Sequence, residues 1–317
     1  MVECIHPVAG AVAAVQDNAA SAGRGVPAVP DDASGSPESI AARPATEAHR
    51  ARYPVEAAYA PPGPYATTTS SVTDAAGNAI YDLYYPGDYA ALGFQSPIVT
   101  WGNGTDDIPP QYSTLLGHLA SYGFTVIGTT SRTTGSGVEI GDAAHYLVTQ
   151  AGASGSPFYG NLDVNRVAAV GHSQGAGGAT QAALSNPALI KTLMTFSLPI
   201  TYWLNGPDIA QLARPAFLSS THGIWDSVIA PPVIERIYYE ILTVPAALGI
   251  ILESDGKPAD HASIVDPAYG GNPGGELGYA TAWLAYQLLG DPTAATAFTG
   301  AAPELISNAN WPGSAVK

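Results

Sequence analysis

The sequence predicts an α/β fold, a mostly parallel central sheet with helices on both faces. Three observations carry that expectation. Short apolar, β-branched runs alternate with longer helix-forming stretches from Pro86 onward, the pattern of strands joined by crossover helices. Gly171-His172-Ser173-Gln174-Gly175 stands between the apolar run Arg166-Val167-Ala168-Ala169-Val170 and a stretch of small residues and helix formers, Ala176 to Leu184. A G-x-S-x-G at a strand-to-helix turn holds its serine in a strained, exposed conformation, because the small neighbours let strand and helix approach closely. Finally, 46% hydrophobic residues in a chain of 317 suffice for one large core.

The elements follow in order. Thr67 to Thr73 and Ala79 to Tyr85 are rich in β-formers and are joined through Gly77-Asn78, a hairpin signal. Pro97 to Trp101 reads as a strand, Tyr112 to Tyr122 as a helix, Phe124 to Ile127 as a strand and Val138 to Thr149 as a helix. The strand at Val167 and the helix after Ser173 come next, then strands at Leu193 to Phe196 and Ala216 to Ser219. A helix at Val233 to Ile241, a strand at Leu248 to Leu252 and a helix at Leu277 to Leu289 close the series. In such sheets the site lies beyond the carboxyl ends of the strands.

Upstream of the hairpin the composition changes. Residues 1–64 read as a leader and linker, Ala-, Pro-, Gly- and Ser-rich from about Ser21 to Pro64, with residues 65–317 as the folded domain. Pro7 to Val15 is a short apolar stretch and Ala20-Ser21-Ala22 resembles a cleavage site, although Glu3 stands where an export signal carries positive charge. The expectation is secretion through an atypical or truncated signal, with a cytoplasmic location as the alternative.

Charge and cysteine usage exclude several function classes. A net charge of −15 opposes binding to nucleic acid, which needs clustered Lys and Arg against phosphates. Neutral substrates fit better. No apolar run reaches the ~20 residues of a membrane-spanning helix. The single cysteine, Cys4, leaves no partner for an intrachain disulfide and no multi-cysteine metal site. No metal or cofactor is expected.

The serine needs a base and an orienting acid, in the chain order Ser, acid, His for a G-x-S-x-G elbow. His6 and His49 lie in the leader, His118 and His145 in upstream helices, and His172 beside the serine points elsewhere. His261 remains, in a loop after the strand ending Leu252-Glu253-Ser254-Asp255-Gly256, with His222 as its rival. Asp226 follows the strand Phe217-Leu218-Ser219-Ser220 and is the expected acid; the alternative set is Ser173, Asp208 and His222. Asp255 and Asp260 have adequate roles as turn formers or caps. Backbone N–H groups of Gln174 and of the loop Trp101-Gly102-Asn103-Gly104-Thr105 are the expected oxyanion donors, with Asn103 preferred and Gly104 one residue away. Asn103-Gly104-Thr105 also matches a glycosylation sequon.

These residues resemble the bacterial polyester hydrolases, a group of α/β-hydrolases that includes actinobacterial cutinases and PET-degrading enzymes. The resemblance runs from about Gly63 to Leu289 through Tyr84-Tyr85-Pro86, Leu119 to Ile127, Gly171 to Gly178 and Leu252 to Gly256. It implies a serine carboxylic-ester hydrolase acting on polyesters through an acyl-enzyme formed by Ser173, Asp226 and His261. It further implies an aromatic subsite wall at Trp203, beside Asn103 and Gln174. Gln174 stands where the group usually carries methionine, and Asn103 where many members carry an aromatic residue, so the platform is more polar here. The alternatives are a small-ester or lipid esterase with a closed pocket, and a catalytically silent binding protein of the same fold.

Overall fold

The computed structural model describes residues 52–199 and 209–317, which fall in one compact unit. Among them, nine strands form one sheet in the order β1-β2-β4-β3-β5-β6-β7-β8-β11. The strands are β1 (Thr67–Thr73), β2 (Ala79–Pro86), β3 (Ser96–Gly102), β4 (Thr125–Thr129), β5 (Leu162–His172), β6 (Ile190–Phe196), β7 (Ala216–Thr221), β8 (Ala246–Ile251) and β11 (Ala315–Val316). The small hairpin of β9 (Glu253–Ser254) and β10 (Lys257–Pro258) stands apart. From β4 through β8 every neighbouring pair is parallel, while β1, β2 and β11 add antiparallel edges. This is the α/β-hydrolase fold expected from the sequence.

Alternation along each parallel strand divides the core in two. Val99, Val126, Ala168, Val170 and Phe217 face one layer, and Ile98, Ile127, Val167, Ala169 and Leu218 face the other. The second layer receives α3 (Val138–Gly152) and α4 (Gln174–Ser185). Helix α3 buries Ile140, Ala143, Ala144 and Leu147, one stripe at helical spacing, and leaves its other face to solvent. The first layer receives α2 (Ser113–Ser121) and α7 (Gly274–Leu284). Helix α7 is buried all round from Glu276 to Leu284, because the sheet lies on one side and α1 (Pro54–Tyr59) on the other. The chain there continues as a single π turn, Ala285–Leu289, so the long helix expected over Leu277 to Leu289 begins earlier and changes pitch.

Helix α1 corrects the expected domain boundary at residue 65. Val55, Glu56 and Tyr59 are buried, and the N–H groups of Val55 and Glu56 both donate to the Glu304 carboxylate at 2.8 Å. Asn308 Nδ2 and Trp311 Nε1 return hydrogen bonds to Glu56, each at 3.0 Å. Composition alone hid this helix, since its anchors lie about 250 residues away in sequence. The remainder of the leader, with its export-signal reading, lies outside the described residues. No helix among the described residues is long and apolar enough to cross a membrane.

The strand order reverses between β3 and β5: the chain leaves β3 toward β4 and leaves β5 toward β6. Loops at that switch point diverge and open a crevice at the carboxyl ends of the strands. The loop after β3 carries Asn103 to Thr105, and the turn after β5 carries Ser173.

Candidate active site

Ser173 sits at φ 53° and ψ −122°, a left-handed backbone conformation that a side chain adopts only under constraint. The constraint is the close approach of α4 to the sheet. A Cβ on Gly171 would lie 2.1 Å from the Gly175 carbonyl oxygen, and one on Gly175 would lie 2.1 Å from that of Gly102. Glycine at both positions lets the helix begin directly over the strand ends. Ser173 is thereby lifted into a cleft of about 500 Å³ lined by Gly104, Thr105, Gln174, Ile229, His261 and Tyr269, among others.

His261 Nε2 lies 2.9 Å from Ser173 Oγ, and His261 Nδ1 lies 2.6 Å from Asp226 Oδ1. The residues named from the sequence thus stand within hydrogen-bonding distance of one another. The other Asp226 oxygen accepts from Ser197 Oγ, Thr221 N–H and Thr221 Oγ at 2.7, 3.0 and 2.7 Å. Burial alone would raise this carboxyl, but the hydrogen bonds and charge of His261, with Thr221 and Ser197, outweigh it and hold Asp226 below the ordinary carboxylate range. An ionised Asp226 fixes the imidazole with its proton on Nδ1 and leaves Nε2 to accept from the serine.

Asp260 is a clasp for this geometry. Its Oδ1 accepts from the N–H groups of Trp225, Asp226 and His261 at 2.9, 3.3 and 2.8 Å, so one carboxylate oxygen ties the acid-bearing turn to the base-bearing loop. His222 is exposed and contributes no side chain to the cleft. Its proposed partner Asp208, and Trp203, lie outside the described residues.

On the oxyanion side the Asn103 and Gln174 side chains are engaged within the protein. Asn103 is fully buried and does not line the cleft; its Nδ2 donates to the carbonyls of Thr129 and Ser131 at 2.6 and 3.2 Å, and its Oδ1 accepts from Trp101 Nε1 at 3.0 Å. That side chain knits the β3 loop to the β4 loop, which removes it from substrate contact and from glycosylation. The Gly104 N–H donates to the Tyr112 hydroxyl at 3.1 Å. Thr105 is exposed at the cleft, and its N–H has no acceptor among the described residues. Gln174 opens helix α4, whose first N–H groups have no partner within the helix. Its side chain is also structural, accepting from Thr134 N–H at 2.7 Å and donating to Thr105 Oγ at 3.3 Å. The polar platform read from Asn103 and Gln174 is therefore largely consumed by loop-to-loop bonds.

A second buried network went unread in the sequence. The Tyr112 hydroxyl donates to Asp107 at 2.6 Å and lies 3.0 Å from His172 Nδ1, while His172 Nε2 lies 2.9 Å from the His261 carbonyl oxygen. Burial, then the charge of His261, pushes the His172 imidazole down to about 3, so it is neutral at any working pH. A neutral ring donating from Nε2 to the His261 carbonyl leaves Nδ1 facing Tyr112. The loop after β3 and the loop bearing His261 thus meet where Tyr112, which accepts from Gly104, packs against His172, which donates to the His261 carbonyl. Nothing local signals it, because Tyr112 and His172 are 60 residues apart and His172 alone reads as a bystander to the serine.

Residues 43–245 match the PET hydrolase-like family. The chain belongs to that family. No curated protein matches the chain. Membership in the PET hydrolase-like family implies ester hydrolase activity, and the matched span takes in both the serine elbow and the turn carrying Asp226. His261 falls outside it and is brought in by the fold. Among the described residues no group of His, Cys, Asp and Glu has the arrangement of a metal site.

Proposed function

We propose that this PET hydrolase-like protein is a serine carboxylic-ester hydrolase that cleaves polyesters through an acyl-enzyme. The observation that carries the reading is the continuous hydrogen-bonded line Ser173–His261–Asp226, with the serine held at positive φ over a helix N-terminus. Ser173 Oγ attacks the ester carbonyl as its proton passes to His261 Nε2, and Asp226 stabilises the imidazolium. The developing oxyanion is held by the Gln174 N–H together with an N–H of the Asn103–Thr105 loop, where Thr105 borders the cleft and its N–H has no acceptor among the described residues. Collapse returns the proton to the leaving alcohol, and water, activated by the same histidine, hydrolyses the acyl-enzyme. Nothing in this cycle requires a cofactor.

The exposed side chains of Thr105, Ala262 and Tyr269 along the cleft favour a chain lying across it over a small ester sealed inside. Two measurements test the reading. A fluorophosphonate probe should label the protein and fail to label Ser173→Ala; absence of labelling would return the chain to a silent binding role. Acid release from poly(ethylene terephthalate) film and from a short soluble ester, measured side by side, decides the substrate. Turnover of the soluble ester alone would sink the polyester assignment while leaving the hydrolase one.

A further inference from the structure

The turn that carries Asp226 presents three large apolar side chains to solvent. Ile224 is 82% exposed, Trp225 64% and Val228 69%. The backbone from Gly223 to Ala230 is one short helical coil, with N–H groups of Ser227, Val228, Ile229 and Ala230 bonded to the carbonyls of Gly223, Trp225, Trp225 and Asp226. Ile224 and Val228 are therefore neighbours at a four-residue spacing, and Trp225 stands three residues before Val228 and four before Ile229. Ile229 lines the cleft. The exposed trio thus continues the cleft wall outward onto the surface. Val233 and Ile237, 64% and 48% exposed, extend the apolar character along the next helix, α6 (Pro232–Ile241).

The turn itself is held in place and carries no exposed charge. Asp260 pins the Trp225 and Asp226 N–H groups, and a Cβ on Gly223 would lie 2.2 Å from that carboxylate, so the turn has little freedom to fold its side chains inward. From Ile224 through Glu235 the charged residues are Asp226 and Glu235, and both are fully buried. In a chain of net charge −15, a neutral apolar strip at the cleft is a departure from the surrounding surface. Large exposed apolar side chains clustered in one turn mark an interaction surface rather than ordinary exposure.

We propose that Ile224, Trp225 and Val228 form a docking surface for a neutral, apolar ester-bearing solid, which they hold against the cleft. The proposal rests on the polyester reading for its choice of solid. The occupant follows from position: a protein seated on this turn would lie across the mouth of the cleft and shut Ser173 off, whereas a substrate surface seated there delivers its own ester bonds. Between Ile224 and Glu235 no charged side chain reaches solvent, which suits a polymer that offers only apolar and carbonyl groups.

The test separates adsorption from chemistry. In the full chain carrying Ser173→Ala, adsorption onto poly(ethylene terephthalate) film should fall at least about tenfold when Ile224→Ser, Trp225→Ser and Val228→Ser are combined, the loss expected for three apolar contacts. The same triple change in the chain with Ser173 intact should keep turnover of a short soluble ester within about twofold and retain the unfolding temperature, while film hydrolysis falls with adsorption. Unchanged adsorption would overturn the proposal. An equal loss on the soluble ester would also overturn it by placing the trio within the catalytic machinery. So would a wild-type dimer, seen in sedimentation, that the triple change dissolves. Patch-dependent adsorption by a protein that hydrolyses no film would leave the docking surface standing and end the polyester reading alone.

Discussion

At the scale of single residues, the line from Asp226 through His261 to Ser173 makes the sharpest predictions. Ser173→Ala should lower turnover by about 10⁶ if the three residues act as a unit, with thermal unfolding nearly unchanged because the hydroxyl is partly exposed. Residual hydrolysis near the wild-type rate by the pure variant would end the assignment. Asp226→Asn should cost about 10⁴ in kcat, since an amide no longer fixes the imidazole tautomer. The same carboxyl sets an acid limit on stability. Its folded pKa lies below the unfolded one, so its contribution is complete above the unfolded Asp value and is lost as pH falls through the folded value. Acid titration of the unfolding temperature should therefore show a steeper decline in the wild type than in Asp226→Asn. These three residues were legible in the sequence because each follows a strand and the chain order of the elbow constrains which acid and which histidine can serve. The side-chain role of Asn103 was not legible: only the folded loop shows that it turns inward to Thr129 and Ser131.

At the scale of elements, loops from distant parts of the chain are joined by buried polar groups whose partners no local pattern announces. The Tyr112–His172 link is one. Tyr112→Phe strands the Gly104 N–H and loosens His172 together, so it should lower kcat roughly 10-fold or more with little change in KM. If Tyr112 and His172 act as one strut, Tyr112→Phe combined with His172→Gln should lose little more than the worse single change; multiplied losses would mean two independent roles. Helix α7 carries another buried group. Burial, and then the charge of Asp226, raises the Glu276 carboxyl to about 8. A carboxyl with its folded pKa above its unfolded one binds its proton more tightly in the folded chain, so it erodes stability as pH rises from about 4.5 to 8. Glu276→Gln should raise the unfolding temperature at pH 8 by more than at pH 5, by the equivalent of a few kcal/mol. Equal shifts at both pH values would show that the group is ionised throughout.

For the whole molecule, the clasp between α1 and the C-terminal segment makes the folded unit begin earlier than composition indicates. A chain starting at residue 52 should unfold at a higher temperature than one starting at Tyr65. A chain starting at Tyr65 leaves the buried Glu304 carboxylate without the Val55 and Glu56 donors and uncovers α7, a loss of several kcal/mol. Equal unfolding temperatures for the two truncations would show that the clasp contributes nothing. The consequence reaches the site, because the first turn of α7 carries Glu276 and packs on Ser254 in the strand end ahead of His261.

The sequence by itself determined the strand positions, the two-layer core and the strand-to-helix turn at Ser173, since these depend on short-range alternation and on glycines that no larger residue could replace. It also narrowed the acid and base to few candidates, because the parallel sheet sends every loop after a strand to the same end. Only the tertiary structure decided which groups complete the site. The orientation of Asn103, the Asp260 clasp, the Tyr112–His172 strut and the docking of α1 on Glu304 all pair residues far apart in the chain. The reason is physical: a buried hydrogen bond requires two groups at one place, and in these four cases only the folded sheet and its crossings bring the two groups together.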